Sequence, residues 1–151
     1  KKALAKAWKR FTRRIRTMVL FTVPIYVGIH YLTVYGAFNA MEKWLSQHLS
    51  FLSFMTPQAV SIVMFQVVAE FTAGLAAAGA MLGAGDLSAR QVVLALLIGN
   101  ILSTPMRAFR HQFPYYAGIF SPKNAVRLIA HNQALRAASV ALVALAYALL
   151  T

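Results

Sequence analysis

A stretch of 21 residues without a formal charge, Met18 to Phe38, is the feature that most constrains this chain. As an α-helix it would be about 30 Å long, which is the thickness of the hydrocarbon core of a bilayer. Pro24 lies inside the stretch and is expected to kink it. The stretch therefore predicts a transmembrane helix.

The composition of the whole chain also indicates a membrane protein. Hydrophobic residues make up 60% of the 151 residues and charged residues only 12%, whereas soluble domains carry roughly 25% charged residues. So few charged side chains cannot cover a soluble globular surface, and the hydrophobicity excludes intrinsic disorder. The chain has no cysteine, which excludes disulfides, Cys-ligated zinc and thiol nucleophiles. We predict an all-α polytopic membrane protein.

The N-terminus is strongly basic, because eight of the fifteen Lys and Arg residues lie within residues 1–16. Residues 3–17 predict an amphipathic helix with Leu4, Trp8, Phe11 and Ile15 on one side. We expect residues 1–17 to lie in the membrane interface, with cations such as Arg13 and Arg14 against anionic headgroups. A helix packed on a protein partner is the alternative.

A second span is predicted for residues 57–82, where Thr56 is the N-cap and Pro57 the first helical residue. Residues 40–54, which precede it, are expected to be interfacial because Trp44 suits the headgroup region. The second half of the span is almost entirely small residues. Gly79 and Gly83 form a GxxxG pair that would allow close approach by another helix.

The next apolar run, 92–104, is only 13 residues long and follows a capping box that begins at Ser88. Because this run is too short for a normal span, we expect residues 91–104 to form a re-entrant element that is broken between Gly99 and Pro105. The alternative is one helix that continues to Phe113 with a kink at Pro105.

Ser121 and Pro122 predict the start of a final helix over about residues 123–150. The predicted fold thus has about three full spans, a broken or re-entrant helix and amphipathic interfacial helices. Residues 18–151 form a single transmembrane domain in this reading. The distribution of Lys and Arg places the N-terminus and residues 105–127 on the cytoplasmic side and residues 40–56 outside.

Residues 99–122, from the Gly-Asn pair through His-Gln-Phe-Pro-Tyr-Tyr to Ser-Pro, resemble the nucleoside-recognition or gate-domain membrane proteins, especially their small prokaryotic members. The Gly/Ala-rich helix, short loop and broken helix are similar, so the resemblance covers roughly residues 15–150. It implies passage of a solute through a prokaryotic cytoplasmic membrane, and two such units in one assembly.

Glu70 is the only acidic residue in a predicted span, and Gln66 precedes it by one turn on the same face. A carboxylate in the bilayer usually marks a solute path, a proton site or a cation partner. Glu70 would then bind a cation or a proton, or pair with Arg136 or Arg107 beside a cavity. A structural salt bridge that holds the bundle together is the equally weighted alternative.

Polar residues around the predicted break suit a transporter site, in which exposed carbonyls and side chains contact the solute. They are Asn100, Ser103 and Thr104. On the last helix Asn132 and Arg136 lie one turn apart, and the Arg136 fork suits an anionic or polar ligand. The structural alternative for the residues at the break is capping of the helix that begins at Pro105. The structural alternative for Arg136 is snorkelling to the headgroups.

Arg107, Arg110 and His111 are predicted on one face of a short helix, where lipid phosphates or another anion would bind. The four histidines lack metal-ligand spacing, so no metal or cofactor is expected. Three acidic residues and the lack of a P-loop argue against an enzyme and leave no catalytic residues to assign.

The expected function is therefore that of a gate-type transporter or channel subunit, an oligomer that passes a small polar solute. The alternative is a non-transporting accessory subunit of a larger membrane complex. Anionic lipid is the expected partner of the basic residues, and nucleic acid is not expected.

Overall fold

A computed structural model describes residues 2–48 and 55–151, without the side chains of residues 2–5 and of Ser46. These residues are helical apart from short turns, which confirms the all-α class. The helices are α1 (Lys2–Val34), α2 (Ala37–His48), α3 (Pro57–Val68), α4 (Phe71–Ala84), α5 (Ala89–Leu102), α6 (Thr104–Arg107), a π-helical segment (Ala108–Gln112), α7 (Phe113–Ile119) and α8 (Pro122–Leu150).

The chain divides into two compact units. Unit 1 contains Lys1–Tyr31 and Pro105–Ala134, and unit 2 contains Leu32–Thr104 and Leu135–Thr151. The two units differ in charge. Unit 1 contains twelve of the fifteen Lys and Arg residues and none of the three acidic residues. Unit 2 holds three of each and has no net charge.

Helix α1 is continuous from Lys2 to Val34, so the boundary predicted after residue 17 falls inside one helix. Pro24 lies within this helix without ending it. Gly36, with a φ of 72°, follows the helix in a left-handed conformation that suits glycine. The interfacial position of residues 1–17 stays a prediction, and residues 49–54 of the predicted interfacial segment lie outside the described residues.

The single span predicted for residues 57–82 is wrong. Thr56 does cap α3, accepting a hydrogen bond from Ala59 N at 3.3 Å, but α3 ends at Val68 and α4 begins at Phe71. The two helices have 12 and 14 residues, which gives them lengths of about 18 and 21 Å, too short to cross a bilayer singly. They pack against each other as a hairpin, as the contacts at Gly74 described below show.

The capping box at Ser88 is confirmed: its side chain accepts from Gln91 N, and the Gln91 side chain accepts from Ser88 N at 2.9 Å. The predicted break is also present, because α5 ends at Leu102 and Ser103 caps it. Residues Ala89–Leu102 and Thr104–Ile119 together form a bent pair that is long and apolar enough for one broken span or a re-entrant element. A straight helix to Phe113 is excluded, whereas the alternative of one kinked span through both parts fits the bend as well as a re-entrant element does.

Two helices are each long and apolar enough to cross a membrane, namely Lys6–Val34 and Pro122–Leu150. The described residues contain three candidate spans if the bent pair is counted as a single span. No residue in the apolar window of the first is buried. Leu142, Leu145 and Leu149 of α8 are likewise exposed. Large apolar side chains on these helices thus face outward, as lipid-facing surfaces do.

The core of unit 2 is built on α3, where Ala59, Ile62 and Val63 are almost completely buried. Leu94 and Ala95 of α5 are buried with similar completeness. These short helices are therefore the centre of unit 2, and they position the polar residues described next.

Candidate functional site

Gln66 is the most buried polar side chain of α3, with 2% of its surface exposed. Its Nε2 donates a hydrogen bond to the carbonyl oxygen of Leu96 on α5 at 3.2 Å. Its Oε1 is also buried, and no described residue donates a hydrogen bond to it. The packing of unit 2 therefore encloses an amide oxygen that receives no hydrogen bond from the described residues. Burial of such a group costs folding free energy.

Two glycines make room for this side chain. A Cβ added at Gly74 of α4 would overlap Gln66 Cγ and lie 3.2 Å from the carbonyl oxygen of Ile62. A Cβ at Gly99 of α5 would lie 2.5 Å from Gln66 Nε2 and 3.2 Å from Val63 Cα. Gln66 is therefore held between α4 and α5 at two positions that only glycine fits.

Asn100, the residue after Gly99, meets Arg136 of α8. Arg136 Nη2 donates to Asn100 Oδ1 at 3.2 Å, and Arg136 is half-buried. The carbonyl oxygen of Asn100 accepts from Thr104 Oγ1 at 2.9 Å and from Ser103 Oγ at 3.2 Å. The residues predicted at the break are thus grouped around Asn100, and the two hydroxyls bond to its backbone.

Glu70 is not where the sequence placed it. Because α3 ends at Val68, Glu70 lies in the turn before α4, exposed, rather than one helical turn beyond Gln66. Its backbone N–H donates to the carbonyl oxygen of Phe65 at 3.1 Å. The polar centre of unit 2 is consequently formed by amides and a guanidinium, with Glu70 at the turn.

On α8, Asn132 is exposed and belongs to unit 1, whereas Arg136 belongs to unit 2. Ser139 donates its hydroxyl to the carbonyl oxygen of Arg136 at 2.9 Å. Of the two α8 residues predicted for the site, Asn132 and Arg136, only Arg136 bonds to Asn100.

We name Gln66, Gly99, Asn100 and Arg136 the polar cluster. It consists of two neighbouring contacts on α5, Gln66 against Gly99 and Arg136 on Asn100. It offers a buried amide oxygen without a described donor and a guanidinium with donors beyond the one used on Asn100. The residues that the structure describes hold no group of three His, Cys, Asp or Glu side chains suited to a metal ion.

Unit 1 contains a second candidate site, which we name the basic groove. It has a volume of about 690 Å³ and lies between the first part of α1 and the end of α7. Its basic lining residues are Lys6, Lys9, Arg10, Arg13 and Arg14. Arg13 and Arg14, predicted to bind headgroups or another anion, are thus placed side by side with three further cations.

Arg107, Arg110 and His111 lie elsewhere in unit 1, at the π-helical segment. Arg107 ends α6, and Arg110 and His111 follow it within the π-helical segment, so anion binding by these three residues stays a prediction. The two arginines are half-buried, and the His111 ring packs edge-on against Tyr26 with centroids 6.4 Å apart.

Sequence reasoning missed a second buried amide, Gln133, which is 7% exposed. Its Nε2 donates to Gln112 Oε1 at 2.5 Å. The signal was available, because Ala125, Ile129 and Gln133 follow one another at every fourth residue and form the buried stripe of α8.

The chain is similar to "Uncharacterized protein MJ0871" of Methanocaldococcus jannaschii. The two sequences are 28% identical over 130 residues, and these residues cover 86% of this chain. The match spans about two fifths, 39%, of that relative's length. No family model matches the chain, and no solved structure matches it.

Proposed function

We propose that this chain is a gate-type membrane subunit that passes a small polar solute, such as a nucleoside or an ion, and works as an oligomer in a prokaryotic cytoplasmic membrane. The observation that carries the proposal is the polar cluster. It lies in a unit built largely from helices too short to cross a bilayer singly. In this proposal the chain has no catalytic role and does not bind nucleic acid.

The energetics of a membrane support this use of the cluster. A polar group in hydrocarbon costs several kcal/mol unless it finds a partner. Gln66 Oε1 and the remaining Arg136 donors are such groups, since unit 2 contains only part of their partners among the described residues. In this proposal a polar solute supplies partners for the half-buried Arg136 side chain. The resemblance of residues 99–122 to gate domains agrees with this interpretation.

The proposal includes an orientation. Unit 1 carries twelve Lys and Arg residues and no acid, so its loops and the N-terminus are assigned to the cytoplasmic side. In this arrangement α1 crosses outward and the α3–α4 hairpin enters and leaves from outside. The bent pair Ala89–Ile119 then crosses inward. The re-entrant element thus moves from residues 91–104 to the hairpin, and Asp86 lies outside.

Uptake into proteoliposomes tests the proposal, with radiolabelled uridine and ²²Na⁺ as probes. Asn100→Leu removes the acceptor for Arg136 and should reduce uptake to the level of empty liposomes. Ser139→Ala is the matched control, because its hydroxyl bonds only to its own helix in the described contacts, and it should transport normally. Uptake of neither probe by the wild-type chain, or normal uptake by Asn100→Leu, would refute the proposal.

A second function, a non-transporting accessory subunit, is favoured by one observation on α4. Positions Gly79 and Gly83 have open space where a Cβ would be, with nothing within 4 Å. The small-residue face that packs inside the chain is instead that of Gly74 and Ala78, both buried. The GxxxG face is therefore available to another helix. Purification in mild detergent separates the two functions: a homo-oligomer supports transport, and a stable complex with a different protein supports the accessory role.

A further inference from the structure

We propose that the basic groove of unit 1 binds the phosphate headgroup of an anionic phospholipid. Its five cations recur along α1 at positions 6, 9, 10, 13 and 14, a spacing that puts them on one helical face. The opposite wall is the uncharged end of α7, Ala117 to Ile119. The groove therefore concentrates positive charge along one wall of a cavity of about 690 Å³.

Nothing in unit 1 neutralises this charge, because Glu42, Glu70 and Asp86 all belong to unit 2. Like charges three and four residues apart on a helix repel each other. An external anion placed in the groove removes that repulsion. Phosphate suits the site, since its oxygens accept paired hydrogen bonds from the planar forks of Arg10, Arg13 and Arg14.

The groove has closely packed walls. A Cβ at Gly118 would lie 2.8 Å from Met18 Cγ and 3.5 Å from the carbonyl oxygen of Arg14. Glycine at this position thus lets α7 approach the backbone of α1 directly. The close packing fixes the distance between the cations and the opposite wall.

The continuation of α1 favours a lipid as the source of the phosphate. Thr17, the last α1 residue that lines the groove, is followed by Val19, Leu20 and Val23, each more than half exposed. These residues belong to the candidate span Lys6–Val34. A phosphate in the groove would therefore place its acyl chains along an exposed apolar surface. The inference rests on the proposed membrane location of α1 and does not require transport.

The test uses the full chain in mild detergent, titrated with dioctanoyl phosphatidylglycerol. Dioctanoyl phosphatidylcholine and inorganic phosphate are the comparison ligands, and bound lipid is counted by native mass spectrometry. We expect phosphatidylglycerol to bind tightest. The triple variant Arg10→Gln, Arg13→Gln and Arg14→Gln should bind it about a hundredfold more weakly, because each basic residue near a membrane surface contributes about 1 kcal/mol, which is a factor of about five.

A matched triple variant outside the groove removes the same charge: Arg16→Gln, Lys123→Gln and Arg127→Gln. We expect its affinity to stay within threefold of the wild type. Equal weakening in both variants would show that charge acts diffusely and would overturn the site. If the groove variant does not elute as a folded protein, Arg13→Gln against Arg16→Gln decides the same question.

Two further outcomes overturn the lipid as occupant. One is inorganic phosphate binding as tightly as phosphatidylglycerol, and the other is displacement of the lipid by a short oligonucleotide at equal concentration. Failure of this proposal is distinguishable from failure of the proposed function, because the Asn100→Leu variant changes unit 2 and should keep its lipid affinity. Lipid binding without solute uptake would refute transport alone.

Discussion

A single methyl group at Gly74 tests the packing of Gln66, and Gly28 inside α1 is its control. At Gly74 the new Cβ would overlap Gln66 Cγ, whereas at Gly28 it meets nothing within 4 Å. Replacing a helical glycine by alanine gains about 0.5–1 kcal/mol at either site. Overpacking costs about 1–3 kcal/mol, so Gly28→Ala should stabilise the protein and Gly74→Ala should destabilise it.

The assay is thermal unfolding in mild detergent, in which the two single variants should differ in midpoint by roughly 2–12 °C. Adding Gln66→Ala to Gly74→Ala removes the overlapping atoms, so the double variant should be more stable than the sum of the two single effects predicts. Equal midpoints for Gly74→Ala and Gly28→Ala, or strict additivity in the double variant, would refute the packing of Gln66 between α4 and α5.

The proposed orientation, the open face of α4 and the cap of α3 can each be tested. With the proposed orientation, cysteine at Asp86 should react with a membrane-impermeant thiol reagent in intact cells and cysteine at Ala5 should not; the reverse pattern would invert the orientation. Gly79→Leu should disrupt assembly on size exclusion more than Leu75→Ala, because it fills the open GxxxG face; an intact assembly would show that this face meets lipid. Thr56→Ala should lower the free energy of unfolding by about 0.5–2 kcal/mol through loss of the α3 cap, and an unchanged denaturation midpoint would contradict that role.

Most of the local boundaries were readable from the sequence because local chemistry sets them. Thr56 and Ser88 begin helices by accepting the first free backbone N–H groups, and Pro122 occupies the first helical position of α8. The break between Gly99 and Pro105 was predicted because the apolar run 92–104 is too short for a normal span. Hydropathy and length predicted membrane spans in α1 and α8, which are long and apolar enough to cross. The same criteria wrongly predicted a single span over residues 57–82.

The polar cluster was only partly predictable. Gln66, Asn100 and Arg136 were predicted as site residues because a polar side chain in an apolar segment is costly unless it has a partner or a function. Sequence reasoning expected Glu70 or Arg136 close to the break, and the bond of Arg136 to Asn100 confirms this for Arg136. The choice between the two was not readable, because the Asn100–Arg136 bond joins residues 36 positions apart. Gly74 and Gly99 gave no sign of their shared contact with Gln66, since a glycine's role depends on what its missing side chain would meet.

The sequence by itself determined that this chain is helical, apolar enough for a membrane and basic at one end, because composition and periodicity carry that information. Only the tertiary structure decided that residues 57–84 fold back as a hairpin. The apolar run through Ala69 and Glu70 contains no proline or glycine that would end a helix at that point. The turn forms there because α4 can pack on α3 through Gly74 and Ala78. Burial gained across the hairpin outweighs the helical bonds lost at the turn, and no local pattern records that balance.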